Sequence, residues 1–360
     1  MSKRLPHPPA ASPRVTIRTV ADAAGVSVCT VNKALTGKPR VSEETRRRIV
    51  EIARRLGYRR NRIARSLSCP PVEIGVVSPD AWPAHYRLLL DGVRSRVEEL
   101  SDFRLSARFA EVSDMTDGAE FHRAVRELID AGVSGLILAP GDYPPARRKM
   151  LDETLRDAGI PFVWLGGNGD DSSFPYRIAS VGQAGAMCGR WAAELLTLMT
   201  PPGSLCAILA GSAELRDHAL KIAAFRAEFA ARGGAEPVVV ETRDRPEIAE
   251  TETLRLLERH PALRGLYIAT ENLPGVETAL DRAGRSGAIR TVATGISPRV
   301  LDGIAAGRIH ASIFQQENSQ GRMAVDLLFQ YLGNGTVPPP ENSVPPRVVM
   351  RSNLELFRTA

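Results

Sequence analysis

The sequence predicts an all-α head followed by an α/β body built as two doubly wound, parallel-sheet lobes. Three observations carry this reading. Charge is split along the chain: residues 1–67 hold 16 Lys and Arg against 4 Asp and Glu, while the whole chain holds 47 against 41. A basic head on an acidic body points to a polyanionic partner for the head alone. Between Thr16 and Leu67 apolar residues recur at helical spacing in three short blocks. After Pro71 short apolar runs alternate with amphipathic stretches, the rhythm of βαβ units.

Taken in order, residues 1–15 read as a disordered arm, with charge and prolines and no apolar core. Thr16 precedes a helix with Ile17, Val20, Ala21 and Ala24 on one face, and its hydroxyl is placed to cap it. Gly25 supplies the positive φ of a tight helix-to-helix turn. Ser27 caps a second helix that turns Val31, Ala34 and Leu35 inward and Val28, Cys29, Thr30, Asn32 and Lys33 outward. Ser42 caps a third, whose Ile49, Ile52, Ala53 and Leu56 pack back while Arg46, Arg47 and Arg48 face out; Gly57 ends it. Residues 16–58 thus have the geometry of a helix-turn-helix. Residues 59–71 form a basic segment too short to be a stable helix alone, with Ala64 and Leu67 on one face and Cys69-Pro70-Pro71 as its stop.

The run from Thr16 to Leu67 contains V-A-x-x-A-G-V-S-x-x-T-V, V-S-x-x-T-R, L-G-Y and N-R-x-A-x-x-L without a gap. It resembles the DNA-binding head of the lactose-repressor (LacI) family. The resemblance implies that Val28 and Cys29 read bases, and both are short enough for contact with a thymine methyl only. Asn32 and Lys33 would reach base edges or phosphate. Thr16, Ser27, Thr30 and Ser42 look like phosphate anchors, and Tyr58, Asn61 and Arg62 continue that grip. Residues 59–68 resemble a hinge helix that folds against a partner chain on DNA, with Leu67, beside Ala64, wedged into the minor groove. Singly, each has a plainer use: capping, a solvated surface, or for Leu67 packing on the body. For Cys29 a small packing or contact residue outweighs the reading as a redox sensor.

In the body, nine strand-like runs begin at Ile74, Leu105, Gly135, Phe162, Ser204, Val238, Gly265, Thr291 and Ala311. Nine exceed one ordinary sheet, so residues 72–351 are read as two lobes: one of about 72–200 and 316–342, the other of about 203–314 and 343–351, with 352–360 as a tail. Pro201-Pro202-Gly203 and Gln315 to Asn318 are the expected crossings. The pattern, with its closing G-R-I-x-A-x-I-x-Q, resembles the periplasmic-binding-protein-like core of the same family. That implies an effector at the carboxyl ends of strands, with Asp80, Trp82, His85, Tyr86, His218, Lys221, Asn272 and Gln315 as candidate liners. Family acids are missing: Ile178 to Gly189 holds none, and the late G-x-D-D is replaced around Ala293-Thr294-Gly295. Lys221 stands for the family's cleft arginine. The lost acids weaken a plain-sugar reading, and Lys221 with His218 and Arg87 would suit an anionic effector such as a sugar phosphate or acid.

Composition limits the alternatives. No run of eighteen apolar residues exists, so no membrane span is expected, and the N-terminus does not read as a signal peptide. Cys29, Cys69, Cys188 and Cys206 are too far apart for a metal pattern and fit a reducing cytoplasm; no cofactor is expected. A transport solute-binding protein or an α/β enzyme are the competing classes. The head opposes the first, and the second lacks a nucleophile elbow, phosphate loop or metal cluster; GGNGDD at Gly166 is no dinucleotide fingerprint. The expected function is a sequence-specific transcriptional regulator, a repressor, acting as a homodimer on a pseudo-palindromic double-stranded operator and gated by a small molecule. The tail lacks heptads, so a tetramerising coiled coil is not expected.

Overall fold

The computed structural model describes residues 15–35, 41–56, 58, 71–79, 84–113, 118–139, 148–166, 176–182, 184–213, 216–270 and 273–358. Asn61, Arg62, Ala64, Leu67, Asp80, Trp82 and Asn272 lie outside the described residues, as do residues 1–14 of the N-terminal arm and Gly57. The described chain divides into two units between Pro70 and Pro71.

The first unit is three helices: α1 (Ile17–Ala24), α2 (Val28–Leu35) and α3 (Glu43–Arg55). Each starts on a hydroxyl that accepts the amide three residues on: Thr16 from Thr19, Ser27 from Thr30, Ser42 from Thr45. These bonds satisfy amides that a helix start otherwise leaves without partners. Gly25, at φ 63°, ends α1 in the left-handed conformation. Val20, Val31 and Ile49 are fully buried and the small Ala21, Ala24, Ala34 and Ala53 let the helices approach, with Leu35, Ile52, Leu56 and Tyr58 closing the sides. Of the three arginines expected to face outward, Arg47 and Arg48 are exposed and Arg46 is half-buried. Arg46 Nη1 donates to the Ala34 carbonyl and Arg48 Nη2 to the Ala24 carbonyl, both at 3.1 Å. The last carbonyls of α2 and α1 lack helical partners and carry the negative end of the helix dipole, which draws the guanidinium groups inward.

The second unit holds two six-stranded sheets. Sheet 1 contains β1 (Val72–Pro79), β2 (Leu105–Val112), β3 (Gly135–Leu138), β4 (Phe162–Leu165), β5 (Arg177–Gly182) and β11 (Glu341–Ser343), in the order β11-β5-β4-β3-β1-β2. Sheet 2 contains β6 (Cys206–Ala210), β7 (Val238–Glu241), β8 (Gly265–Ile268), β9 (Arg290–Thr294), β10 (Ala311–Phe314) and β12 (Arg347–Val349), in the order β12-β10-β9-β8-β6-β7. Strands pair in parallel except for β12 on β10. All nine apolar runs are strands. Sequence reading misses β5, whose RIASVG mixes polar and small residues, and the three-residue edge strands β11 and β12.

Helices flank both sheets: α4 (Ala84–Glu99), α5 (Gly118–Asp130), α6 (Arg148–Ala158) and α12 (Glu317–Asn334) with sheet 1, and α7 (Gly185–Met199), α8 (Arg216–Ala231), α9 (Pro246–Arg259), α10 (Leu273–Arg282) and α11 (Pro298–Ala305) with sheet 2. Here the expected crossing at Pro201–Gly203 is corrected. Cys188, Ala192, Ala193 and Leu196 of α7 are buried in the sheet 2 core with Cys206, Ile208 and Val292. The chain therefore changes lobe before Gly185. Both helices that follow a crossing start from a left-handed residue, Ala184 (φ 54°) and Gln316 (φ 58°). The third crossing joins β11 to β12, and Gln316 Nε2 donates to the Pro345 carbonyl within it. The presumed tail is also structured: Leu354 and Phe357 are buried in the second lobe, with Phe357 edge-on to Phe314.

Candidate nucleic-acid interface and ligand cleft

The head presents one exposed helix and three hydroxyl-bearing helix starts. On α2, Val28 is 39% exposed, and Cys29 and Asn32 are exposed too; Thr30 and Lys33 are half-buried. The helix shows these side chains because its other face, Val31 and Ala34, is the core. Each helix start carries a pair of hydroxyls in contact: Thr16 with Thr19 at 3.1 Å, Ser27 with Thr30 at 2.9 Å, and Ser42 with Thr45 at 2.8 Å. The caps use oxygen lone pairs, so each pair keeps one hydroxyl hydrogen to offer outward. Thr19 and Thr45 were passed over; the signal that finds them is the repeated [S/T]-x-x-T. Tyr58, expected as a phosphate contact, packs partly buried against the head core, its amide donating to the Ala53 carbonyl at 2.9 Å.

In each sheet of the body the chain leaves one strand and returns on its far side. In sheet 1 that strand is β1, between β2 and β3; in sheet 2 it is β6, between β7 and β8. Crevices at the carboxyl ends of such strands are where α/β sheets bind ligands. Beyond β1 stand His85 and Tyr86 at the start of α4, ring edge to ring face at 5.2 Å. Beyond β6 stand Asp217, His218 and Lys221 in the first turns of α8.

The cleft lysine is not placed as its sequence position suggested. Lys221 is 2% exposed, with Nζ 2.6 Å from Asp217 Oδ2 and 3.4 Å from the Ala269 carbonyl. Burial pulls its pKa down, but the Asp217 charge and hydrogen bond outweigh that and hold it above the ordinary lysine value. The Asp217 carboxylate balances its charge within the lobe. His218 Nδ1 accepts the Ser212 amide at 3.2 Å, which leaves Nε2 as the protonated nitrogen of the neutral ring. Burial first, and the Lys221 charge second, lower its pKa below the ordinary histidine value. Gln315 is 2% exposed at the crossing into α12.

Ile178–Gly189 holds no acid, but the Asp217 carboxylate of α8 stands beside its Gly185. A Cβ on Gly185 would stand 2.4 Å from Asp217 Oδ1, so the α8 carboxylate occupies the space above the start of α7. Thr294, in the stretch replacing G-x-D-D, donates to the Ile268 carbonyl at 2.8 Å and ties two strands together. Burial pushes the thiols of Cys188 and Cys206 up to about 12, which makes them packing residues. A separate cavity of about 610 Å³ is lined by Glu277, Asp281, Arg299, Asp302 and Arg308; it includes none of the expected liners.

A capped helix-turn-helix unit followed by two parallel-sheet lobes defines a regulator with a binding-protein body. Residues 16–61 match the model of bacterial regulatory proteins, lacI family, and residues 74–336 match the periplasmic binding protein domain. The chain belongs to the lacI family of bacterial regulatory proteins. Catabolite control protein A of Staphylococcus aureus is 29% identical over 170 residues, 46% of this chain and 47% of that protein. The chain thus spans about half the length of the curated relatives it matches. Among solved structures, a solute binding protein from Agrobacterium vitis bound with alpha-D-tagatopyranose has a TM-score of 0.71 at 18% identity, covering 79% of this chain and 98% of that one. A glucose-galactose binding protein from Geobacillus stearothermophilus has a TM-score of 0.67 at 19% identity, covering 79% and 99%. At such identities the likeness establishes the fold.

Proposed function

We propose that this chain is a sequence-specific repressor, acting as a homodimer on a pseudo-palindromic operator in the cytoplasm, whose DNA binding is set by a small molecule in the interlobe cleft. The observation that carries the reading is α2: an exposed helix with Val28 and Cys29 at its start, framed by three helix starts that offer hydroxyl hydrogens. One such helix spans too few base pairs for a genomic address, so two heads on a two-fold site are required. Val28 and Cys29 read thymine methyls, Asn32 and Lys33 reach base edges or phosphate, and Thr16, Ser27, Thr30 and Ser42 hold phosphates. Asn61 and Arg62 extend the grip, and Ala64 with Leu67 opens the central minor-groove step.

In the body, His85, Tyr86, His218 and Gln315 contact the ligand, joined by Asp80, Trp82 and Asn272. Ligand binding shifts the balance between two lobe arrangements, one of which permits paired hinge helices. The internal pairing of Lys221 moves the preferred ligand from a sugar phosphate or acid to an uncharged sugar. The test is selection of duplexes from a randomised pool by the full chain and by a variant with Val28 and Cys29 exchanged together. A two-fold consensus that changes with the exchange is expected. An unchanged consensus removes the assigned reading pair, and the absence of any consensus removes the function.

A further inference from the structure

We propose that the cavity between α10 and α11 is a second ligand site of the body, and that it takes a basic amino acid, a small molecule with one carboxylate and two cationic groups. The site lies apart from the interlobe cleft and stands independently of it. About 610 Å³ lie among Glu277 and Asp281 of α10, Arg299 and Asp302 of α11, and Arg308 just beyond α11, a volume within the range of small-molecule sites. Glu277 is the buried member, 7% exposed. Arg299 Nε donates to its Oε2, and Arg308 Nε stands 3.6 Å from its Oε1, which accepts no hydrogen bond. Gly303 makes room for this carboxylate: a Cβ there would stand 2.6 Å from Ile309 Cδ1 and 3.5 Å from Glu277 Oε1.

The lining holds three carboxylates against two guanidinium groups, one negative charge in excess. These charges are not used up on one another. Both arginines turn Nε to Glu277, and among the described residues their Nη ends have no acceptor. Among the same residues the Asp281 carboxylate has neither a hydrogen bond nor an ion pair, and Asp302 has the Arg358 guanidinium at 3.8 Å. Buried polar atoms without partners are few in folded proteins, and a charged one costs the most. A basic amino acid supplies each missing partner. Its carboxylate lies on the Nη ends of Arg299 and Arg308, its α-ammonium donates to Glu277 Oε1, and its side-chain cation reaches Asp281 and Asp302. A dicarboxylate would meet three acids, and a diamine would leave both guanidinium groups unanswered. Among the described residues no apolar side chain lines the cavity, whereas a contact between two copies of a chain buries an apolar centre.

The test is titration calorimetry of the full chain at low salt with L-arginine, L-lysine, L-glutamate and 1,4-diaminobutane. Binding of the first two is expected, weakening as sodium chloride is added, with the other two at least about ten-fold weaker. Asp281 and Asp302 are exposed, so Asp281→Asn and the pair Asp281→Asn with Asp302→Asn are expected to keep the parental thermal midpoint. The single change should weaken L-arginine binding about three-fold and the pair about ten-fold, because each removes one solvent-exposed ionic contact. No heat with either basic amino acid overturns the proposal, as does an unchanged affinity in the paired variant. Equal binding of 1,4-diaminobutane overturns it too, since the cavity then only gathers cations. If the paired variant instead halves the mass of the chain in sedimentation equilibrium, the cavity is a contact between copies and the ligand site is lost.

Discussion

The guanidinium groups of Arg46 and Arg48 show how one residue type serves two ends in the same helix turn. Both donate to the last carbonyls of preceding helices, while Arg47 between them is exposed. Arg46→Met and Arg48→Met are each expected to lower the stability of the head by about 1 kcal/mol, below the roughly 1.5–3 kcal/mol of a charged hydrogen bond because solvent reaches both side chains, measured by urea unfolding. Neither should change the slope of log affinity against log salt on random duplex DNA. Arg47→Met should leave stability alone and reduce that slope by about 0.9 if it holds a phosphate. A reduced slope for Arg48→Met would return that side chain to the phosphate grip. Lys221 offers the parallel case in the body. Lys221→Met leaves the mostly buried Asp217 without its cation, and a loss of about 2 kcal/mol is expected in the unfolding of the body, less than for a fully buried pair because solvent still reaches the carboxylate. An unchanged midpoint would mean that the ion pair is not what holds α8 in place. The role of Lys221 was not legible from sequence, because its partner is four residues away on the same helix and only burial shows that the two are isolated together.

At the scale of elements, the same device appears in each lobe: a helix that arrives from the other lobe packs on a helix of its new lobe through glycine. A Cβ at Gly189 of α7 would stand 2.2 Å from the Lys221 carbonyl of α8, and one at Gly321 of α12 2.0 Å from the Leu89 carbonyl of α4. Backbone lies opposite in both cases, so an added methyl must push helices apart. Gly189→Ala and Gly321→Ala are expected to cost about 1–3 kcal/mol each, read as a lower thermal midpoint. A neutral result would mean the helices have room to slide. This pairing explains what sequence reading could and could not deliver. Most of the nine apolar runs were legible because a central parallel strand is buried on both faces and reads as continuous hydrophobe, while the edge strands β2 and β7 are only partly buried. The three helix starts of the head were legible through their hydroxyls. The lobe to which α7 belongs was not, since its amphipathic pattern fits either sheet and the choice is made by a left-handed residue, Ala184, that carries no local signal.

For the whole molecule, acid should loosen the body in a defined window. Burial lowers the pKa of His122, His218 and His310 below the ordinary value of 6.5. The unfolded chain therefore binds protons first as pH falls, and this part of the stability, present above about pH 6.5, is lost below it. Urea midpoints measured from pH 8 to pH 5 should decline, and His218→Gln should flatten the decline; a flat profile in the parent chain would show that these rings protonate freely when folded. The crossings described above carry one more consequence, which concerns synthesis. Sheet 1 gains its last strand only at Glu341–Ser343 and sheet 2 its last at Arg347–Val349, while α12, which covers sheet 1, begins at Glu317. As the chain leaves the ribosome from its N-terminus, the head emerges first and has its own core. Both lobes stay open at one edge until residues 341–349 appear. A chain cut before Glu341 thus carries a finished head on a body in which each sheet still lacks an edge strand.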